Sequence, residues 1–341
     1  MPSLPRLKSL ADLRRLLDKL PGPNEAAAIA AEARQPHLTK PPGSLGRLEE
    51  LAIWLAAWQG RHPPRLEFPR ACVFAGNHGV VAEGVSAYPA AVTGQMVANF
   101  EAGGAAINQI CRAFGIALTV KGLALELPTR NFVEAPAMSQ AETVGALNEG
   151  MAAVVSETDV LCLGEMGIGN TTAAAALGLA LYGGAANDWT GPGTGVIGAA
   201  LAHKTEVVAR AVARHHDAAG DPLELLMCLG GREIAAITGA IVAARFERVP
   251  VLLDGYVATA AAAVLEAACP GALDHTQAAH VSAEPAHPRL LERLGKTPLL
   301  SLGMRLGEAS GAALAVALLK AAVACHTGMA TFGEAGVSGQ T

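Results

Sequence analysis

LCLGEMGIGNTTAAAALG, residues 161–178, decides how this chain folds. A short apolar run ends at Leu163, glycines at 164, 167 and 169 break it, and Thr171 or Thr172 stands where an alanine-rich helix begins. Strand, glycine turn and helix follow one another within eighteen residues. The same order recurs elsewhere. Ala71–Ala75 runs into Gly76-Asn77-His78-Gly79, Ile116–Val120 into Lys121-Gly122, and Val249–Leu253 into Asp254-Gly255. Such repetition predicts an α/β fold with a parallel sheet covered by helices on both faces. Ligands of these sheets bind outside the carboxyl ends of the strands, where the glycine turns gather.

Outward from this middle, both ends read as helix. Leu10, Leu13, Leu16, Leu17 and Leu20 share one helical face, and residues 45–59 show the same spacing. Between them KPPGSLG, residues 40–46, cannot be regular helix, because two prolines and two glycines interrupt it. Residues 308–326 form a long Ala/Leu stretch broken only by Lys320. Residues 1–60 with about 305–341 are therefore expected to pack together as a small helical domain, and 61–304 as the α/β domain.

Composition narrows the function classes. Half of the 341 residues are hydrophobic (51%) and only 4% are aromatic, so the core must be built from Ala, Val, Leu and Ile. A net charge of −5 without a basic stripe argues against nucleic acid as the main partner. The six cysteines, at 72, 111, 162, 228, 269 and 325, form no CxxC, which favours reduced thiols over a zinc cluster or disulfides and points to the cytoplasm. No signal-peptide pattern opens the chain. The longest uncharged run, 166–187, opens with loop residues and reads as a turn feeding a buried helix rather than a membrane span.

Several groups could carry chemistry. The free N–H groups at the helix start after Gly169 favour a phosphate or carboxylate. Glu165 would repel such an anion at close range, so it either faces a developing positive charge or is a solvated turn residue. Gly193-Thr-Gly195-Val-Ile-Gly198 matches G-x-G-x-x-G, but residues 187–192 before it are not an apolar strand. A loop leading into the helix that carries Lys204 fits better than a dinucleotide fingerprint. Glu308 sits where the last helix opens, with Ala309 to Ala313 leaving space beside it; it is either a reactive carboxylate or one favoured by the helix dipole. His78 lies at a strand end and is either a ligand neighbour or a turn residue. No HExxH or G-x-S-x-G motif occurs.

Seven segments together resemble one family: KPPGSLGRLEELA (40–52), GNHGVVAEGVSAYP (76–89), GEMGIGNTTAAAAL (164–177), HKTEVV (203–208), LLDGYVATAAA (252–262), HVSAEPAH (280–287) and MRLGEASGAALA (304–315). They are similar, in order, to the nicotinate-nucleotide–dimethylbenzimidazole phosphoribosyltransferases. The resemblance implies a Rossmann-like parallel sheet, a small helical domain built from both termini, and a homodimer. It implies transfer of the 5-phosphoribosyl group from nicotinate mononucleotide to 5,6-dimethylbenzimidazole, giving α-ribazole 5′-phosphate and nicotinate. No cofactor or metal is expected, since no pyrophosphate leaves. Carried over, Glu308 is the base that takes the benzimidazole proton and Glu165 stabilises the ribosyl cation. Gly167, Lys204 and Ser282 hold the phosphate and ribose, and Tyr88, Met96 and Leu306 line the benzimidazole pocket. Positions 88 and 96 can be Ser and Gln in the family. Tyr88 and Met96 make that wall bulkier and less polar, which bears on the preferred base rather than the reaction. Two other readings compete: a nicotinamide-dependent oxidoreductase using Gly193–Gly198, and a non-catalytic nucleotide-binding relative. The second would be expected to lack Glu308.

Overall fold

The structure, a computed structural model, describes residues 4–338. In chain order the helices are α1 (Leu10–Leu17), α2 (Glu25–Arg34), α3 (Arg47–Gln59), α4 (Ala91–Glu101), α5 (Ala106–Phe114), α6 (Gln140–Ala152), α7 (Asn170–Tyr182), α8 (Ala199–Arg214), α9 (Pro222–Leu229), α10 (Arg232–Phe246), α11 (Tyr256–Ala268), α12 (Ala286–Arg293), α13 (Ser310–Gly328) and α14 (Phe332–Ala335). The strands are β1 (Pro69–Ala75), β2 (Ala117–Gly122), β3 (Val160–Met166), β4 (Val251–Leu253) and β5 (Thr276–Ala278). All pair in parallel in the order β2-β1-β3-β4-β5. The order reverses between β1 and β3, so the crevice above their carboxyl ends is the topological switch point where such sheets bind ligands.

Side-chain alternation sorts the core into two layers. Cys72 and Phe74 of β1 face one side with Leu161 and Leu163 of β3, under α6, α7, α10 and α11. Ala71 and Val73 face the other with Val160 and Cys162, under α3, α5 and α13. Small residues let these layers close tightly: a Cβ at Gly150 of α6 would stand 1.8 Å from the Ala236 carbonyl of α10, so only glycine fits that crossing. The longest apolar helix, α13, has a mean hydropathy of 1.5 and the length to cross a membrane, but Ala312, Ala313, Val316 and Leu319 seat it on the sheet. All six cysteines are free thiols, four of them buried.

The expected strands are all present, with three differences. Strand β3 runs on to Met166, because Phe74 and Ala75 of β1 pair with Glu165 and Met166. Glu165 is therefore a strand residue rather than part of the glycine loop. Strand β5 is new; three residues, TQA, are too few to carry a periodic signal. Helix α7 begins at Asn170, one residue before the threonines, after Gly169 at φ 94°. At the chain ends α2 packs on α3 and α3 on α13, and Leu38 bridges to Thr331.

Candidate active site

A cavity of about 490 Å³ opens above the switch point. Its floor is the end of β3, Glu165 and Met166, followed by Gly167, Ile168, Asn170 and Thr171 at the start of α7. The loop after β4 supplies Gly255, the start of α11 Tyr256, the loop after β5 Ser282 and Glu284, and the loop before α13 Arg305 to Glu308. Tyr88, Val92 and Met96 form the remaining wall, with Tyr88 and Leu306 half-exposed at the mouth.

The backbone places Glu308 by force. Gly307, Glu308 and Ala309 take φ values of 81°, 61° and 60°, three left-handed residues in succession. Two of them are not glycine, and such strain persists only where the surroundings hold it. Here the Glu308 N–H donates to the Glu165 carbonyl at 3.2 Å, and the Ser310 hydroxyl donates to the Gly307 carbonyl at 2.6 Å. Gly164 admits the turn, since a Cβ there would lie 2.0 Å from the Ala309 nitrogen. Helix α13 starts at Ser310, two residues after Glu308, and its Ala312 N–H is taken by Asp254 at 2.9 Å. The helix-dipole reading of Glu308 is thereby corrected. Asp254 serves the helix start, and Glu308 is free to face the cavity.

Buried carboxylates crowd the floor. Glu165 accepts a hydrogen bond from Asn170, and its carboxylate lies against Gly307. Burial foremost, then the charges of Asp254, Glu233 and Glu308, push Glu165 well above the usual carboxylate range. Burial, with the Asp254 charge second, pushes Glu308 up to about 7. Two carboxyl groups at one cavity end therefore titrate far from their ordinary values, the pattern of an acid–base centre.

Another part of the wall is built for a different charge. The Lys204 ammonium is buried and donates to the Thr171 hydroxyl and the Gly191 carbonyl, each at 2.9 Å. Burial lowers Lys204 to about 8, opposed by the Glu284 charge. Glu284 accepts the Gly193 N–H at 2.8 Å, and Arg305 donates to the Gly193 carbonyl at 3.2 Å. Burial raises Glu284 against the pull of Lys204, the Gly193 N–H and Arg305. Ser282 is fixed by its neighbours: its N–H donates to His287 at 2.8 Å and its hydroxyl accepts the Glu284 N–H at 3.2 Å. The loop 193–198 leads into α8, which carries Lys204, and no strand precedes it directly among the described residues.

A phosphoribosyltransferase family profile matches residues 20–337. The curated nicotinate-nucleotide–dimethylbenzimidazole phosphoribosyltransferase of Rhizobium meliloti (strain 1021) is 60% identical over 327 residues, 96% of each chain. The enzyme of that name from Ruegeria pomeroyi is 62% identical over 335 residues, 98% of this chain and 99% of the other. This chain belongs to the nicotinate-nucleotide–dimethylbenzimidazole phosphoribosyltransferase family. The crystal structure of CobT from Thermus thermophilus superposes with a TM-score of 0.85 at 44% identity, covering 92% of this chain and 99% of that one. The Rossmann-like parallel sheet expected from the resemblance is thus shared with a solved relative.

Seven of the eight residues nominated for the family's site line one cavity: Tyr88, Met96, Glu165, Gly167, Ser282, Leu306 and Glu308. Lys204 does not; its ammonium stands one layer back, behind Thr171 and Gly193. His78 lies outside the cavity too, buried against Glu233. Asn170, Tyr256, Glu284 and Arg305 join the wall without a prior signal of their own. All four fall inside the family segments 164–177, 252–262, 280–287 and 304–315, which was the one hint available. Among the described residues no three His, Cys, Asp or Glu side chains are grouped to hold a metal ion.

Proposed function

We propose that this chain transfers the 5-phosphoribosyl group of nicotinate mononucleotide to 5,6-dimethylbenzimidazole, releasing nicotinate, a proton and α-ribazole 5′-phosphate. The observation that carries this reading is Glu308. It is a buried carboxylate lining the cavity, raised to about 7 and held in a strained turn against Glu165. One benzimidazole nitrogen attacks C1′ while the other loses its proton. A base poised near neutral pH suits that step. Attack from the face opposite nicotinate inverts C1′, turning a β-nucleotide into an α-nucleotide. Nicotinate leaves as a neutral pyridine, so neither a general acid nor a metal is needed there.

Glu165 faces the other half of the charge change. Nicotinate mononucleotide brings a pyridinium, and as its bond to C1′ lengthens the positive charge passes to the ribosyl ring. A cation at that place favours the ionised carboxylate and lowers the pKa that burial has raised. The Glu165 carboxylate is thus placed to stabilise the ribosyl cation. Gly167, Ser282 and the Lys204 ammonium behind Thr171 hold the phosphate and ribose. Tyr88, Met96 and Leu306, on the apolar wall near the mouth, receive the benzimidazole. The chain works as a homodimer in the cytoplasm, a reading supported by the half-exposed Tyr88, Leu302 and Leu306 and by the free thiols. The packing of α3 between α2 and α13 supports a joint helical unit of the two chain ends within residues 1–60 and about 305–341, while α1 packs in the core layer of α6 and α10.

The experiment is direct. Purified protein with chelator, nicotinate mononucleotide and dimethylbenzimidazole is expected to release nicotinate and form α-ribazole 5′-phosphate in equal amounts, seen by chromatography and proton NMR. No product under chelation, with activity restored by magnesium, would sink the metal-free mechanism. Product absent under both conditions would sink the assignment.

Lys204→Ala tests the phosphate end. Lys204 braces Thr171 and the Gly191 carbonyl at the cavity wall, and support given equally in ground and transition states is uniform binding, so KM for nicotinate mononucleotide is expected to rise with kcat little changed. The bonds lost are those to Thr171 and Gly191, and their effect reaches the phosphate through the wall, so the rise is expected to be on the order of 10-fold. KM for dimethylbenzimidazole should hold, and a thermal melt checks that the fold survives. An unmoved nucleotide KM would remove Lys204 from phosphate binding.

A further inference from the structure

We propose that Asp254 is the positioning residue that sets both the place and the basicity of Glu308. The inference rests on the reading of Glu308 as the base. Asp254 follows β4 directly, is buried, and does not line the cavity. One of its oxygens, Oδ1, accepts the Ala312 N–H in the first turn of α13 at 2.9 Å. Its own N–H donates to the Leu163 carbonyl of β3 at 3.2 Å. The aspartate therefore ties two neighbouring strands to the helix whose preceding turn carries Glu308. That turn is the left-handed run Gly307-Glu308-Ala309, and a strained turn needs such an anchor close by.

Anchoring alone does not call for a charge. Asn or Ser accepts a helix-start N–H about as well as Asp, without the cost of burying a carboxylate. Yet Asp254 is buried with Oδ2 unpartnered, and its charge reaches two further buried carboxyl groups, Glu165 and Glu308. The basic group beside it is the His280 ring, whose Nε2 lies 3.6 Å from Oδ1, too far for a hydrogen bond. His280 has no partner on either ring nitrogen, and a Cβ at Gly311 of α13 would strike its ring. The other titratable groups around this place are Cys162 of β3, which feels the Asp254 charge, and His287 of α12, whose ring centroid is 6.3 Å from that of His280. None of these is placed to cancel the aspartate. Its charge is felt by Glu308 and by Glu165, in both cases next after burial. A like charge makes the Glu308 carboxylate hold a proton more tightly. It is then a stronger base for the benzimidazole proton.

The test compares pH profiles of kcat/KM for wild type, Asp254→Asn, Asp254→Ala and Glu308→Gln, with thermal melts of each. The amide keeps the acceptor for Ala312 and removes the charge. Glu308 must be ionised to act, so activity rises with pH through its pKa. Asp254→Asn is expected to move that limb to lower pH by on the order of one unit. Its plateau should fall a few-fold, because a weaker base takes the proton less readily. Asp254→Ala should show the same limb shift and a larger loss of plateau, since the anchor goes as well. Asp254→Ser, smaller but still an acceptor, carries the same test if the amide does not fold. An unmoved limb in a folded Asp254→Asn, while Glu308→Gln abolishes the limb, would overturn the role of Asp254 and leave the base in place. A limb that persists in an active Glu308→Gln would overturn the base reading itself.

Discussion

Glu308→Gln is expected to lower kcat by about 10²–10⁴-fold, the usual contribution of a positioned general base, with the fold intact. The amide is nearly isosteric, and the turn that carries it is held through backbone contacts, the Glu308 N–H to the Glu165 carbonyl and the Ser310 hydroxyl to the Gly307 carbonyl. None of these uses the carboxylate. Binding of dimethylbenzimidazole should therefore survive, since the amide oxygen still accepts from the ring N–H. The pH profile gives an independent sign. The free-enzyme pKa of about 7 is above the ordinary value, so wild-type kcat/KM should rise through neutrality as the carboxyl ionises. The Gln variant should lose that limb. Single-turnover kinetics on a variant that melts like wild type provides the check, and near-normal turnover would return Glu308 to a structural part.

Glu165→Gln is the second large effect, expected to lower kcat by about 10²–10³-fold, the scale seen when one electrostatic partner of a developing charge is removed. The loss should fall on turnover of nicotinate mononucleotide and spare the affinity for dimethylbenzimidazole. Asn170, which donates to Glu165, can still meet an amide oxygen, so local packing is kept. The rising limb of kcat/KM should stay in place, because burial and the Asp254 charge, not Glu165, raise Glu308. A Gln variant with undiminished turnover would mean that the ribosyl cation is stabilised without this carboxylate.

The fold was legible because its signals are local. Each main strand is an apolar run cut off by glycine, Lys-Gly or Asp-Gly, and the cuts after β3 and β4 lie where the cavity forms. LCLGEMGIGNTT alone places Glu165, Gly167 and the start of α7 along one edge of that cavity. The third strand is longer than the run suggests, since Glu165 and Met166 are held by pairing with β1 rather than by their own propensity. Strand β5, three residues long, is likewise made by its neighbour β4.

The site was legible residue by residue only where the family segments reach. Glu308 and Glu165 lie 143 positions apart yet share a backbone hydrogen bond, which no spacing reveals. Lys204 was nominated as a direct phosphate contact, but its stem runs through the interior to Thr171, a path set by how α8 packs on α7. Asp254 reads in the sequence as half of a turn; its place under α13 exists only once β4 and the last helix meet. The left-handed turn at Glu308 is equally silent, because Glu and Ala do not advertise positive φ as glycine does.

The most direct test of the central claim is a crystal structure of Glu308→Gln with nicotinate mononucleotide and dimethylbenzimidazole bound together. The expected complex places the phosphate beside Gly167 and Ser282, with C1′ over Glu165. The benzimidazole should lie between Tyr88, Met96 and Leu306, its N–H within about 2.6–3.2 Å of the residue 308 side chain. The facing ring nitrogen should approach C1′ opposite nicotinate. A benzimidazole bound with its N–H turned away from residue 308, or a nucleotide whose C1′ lies outside this cavity, would contradict the account.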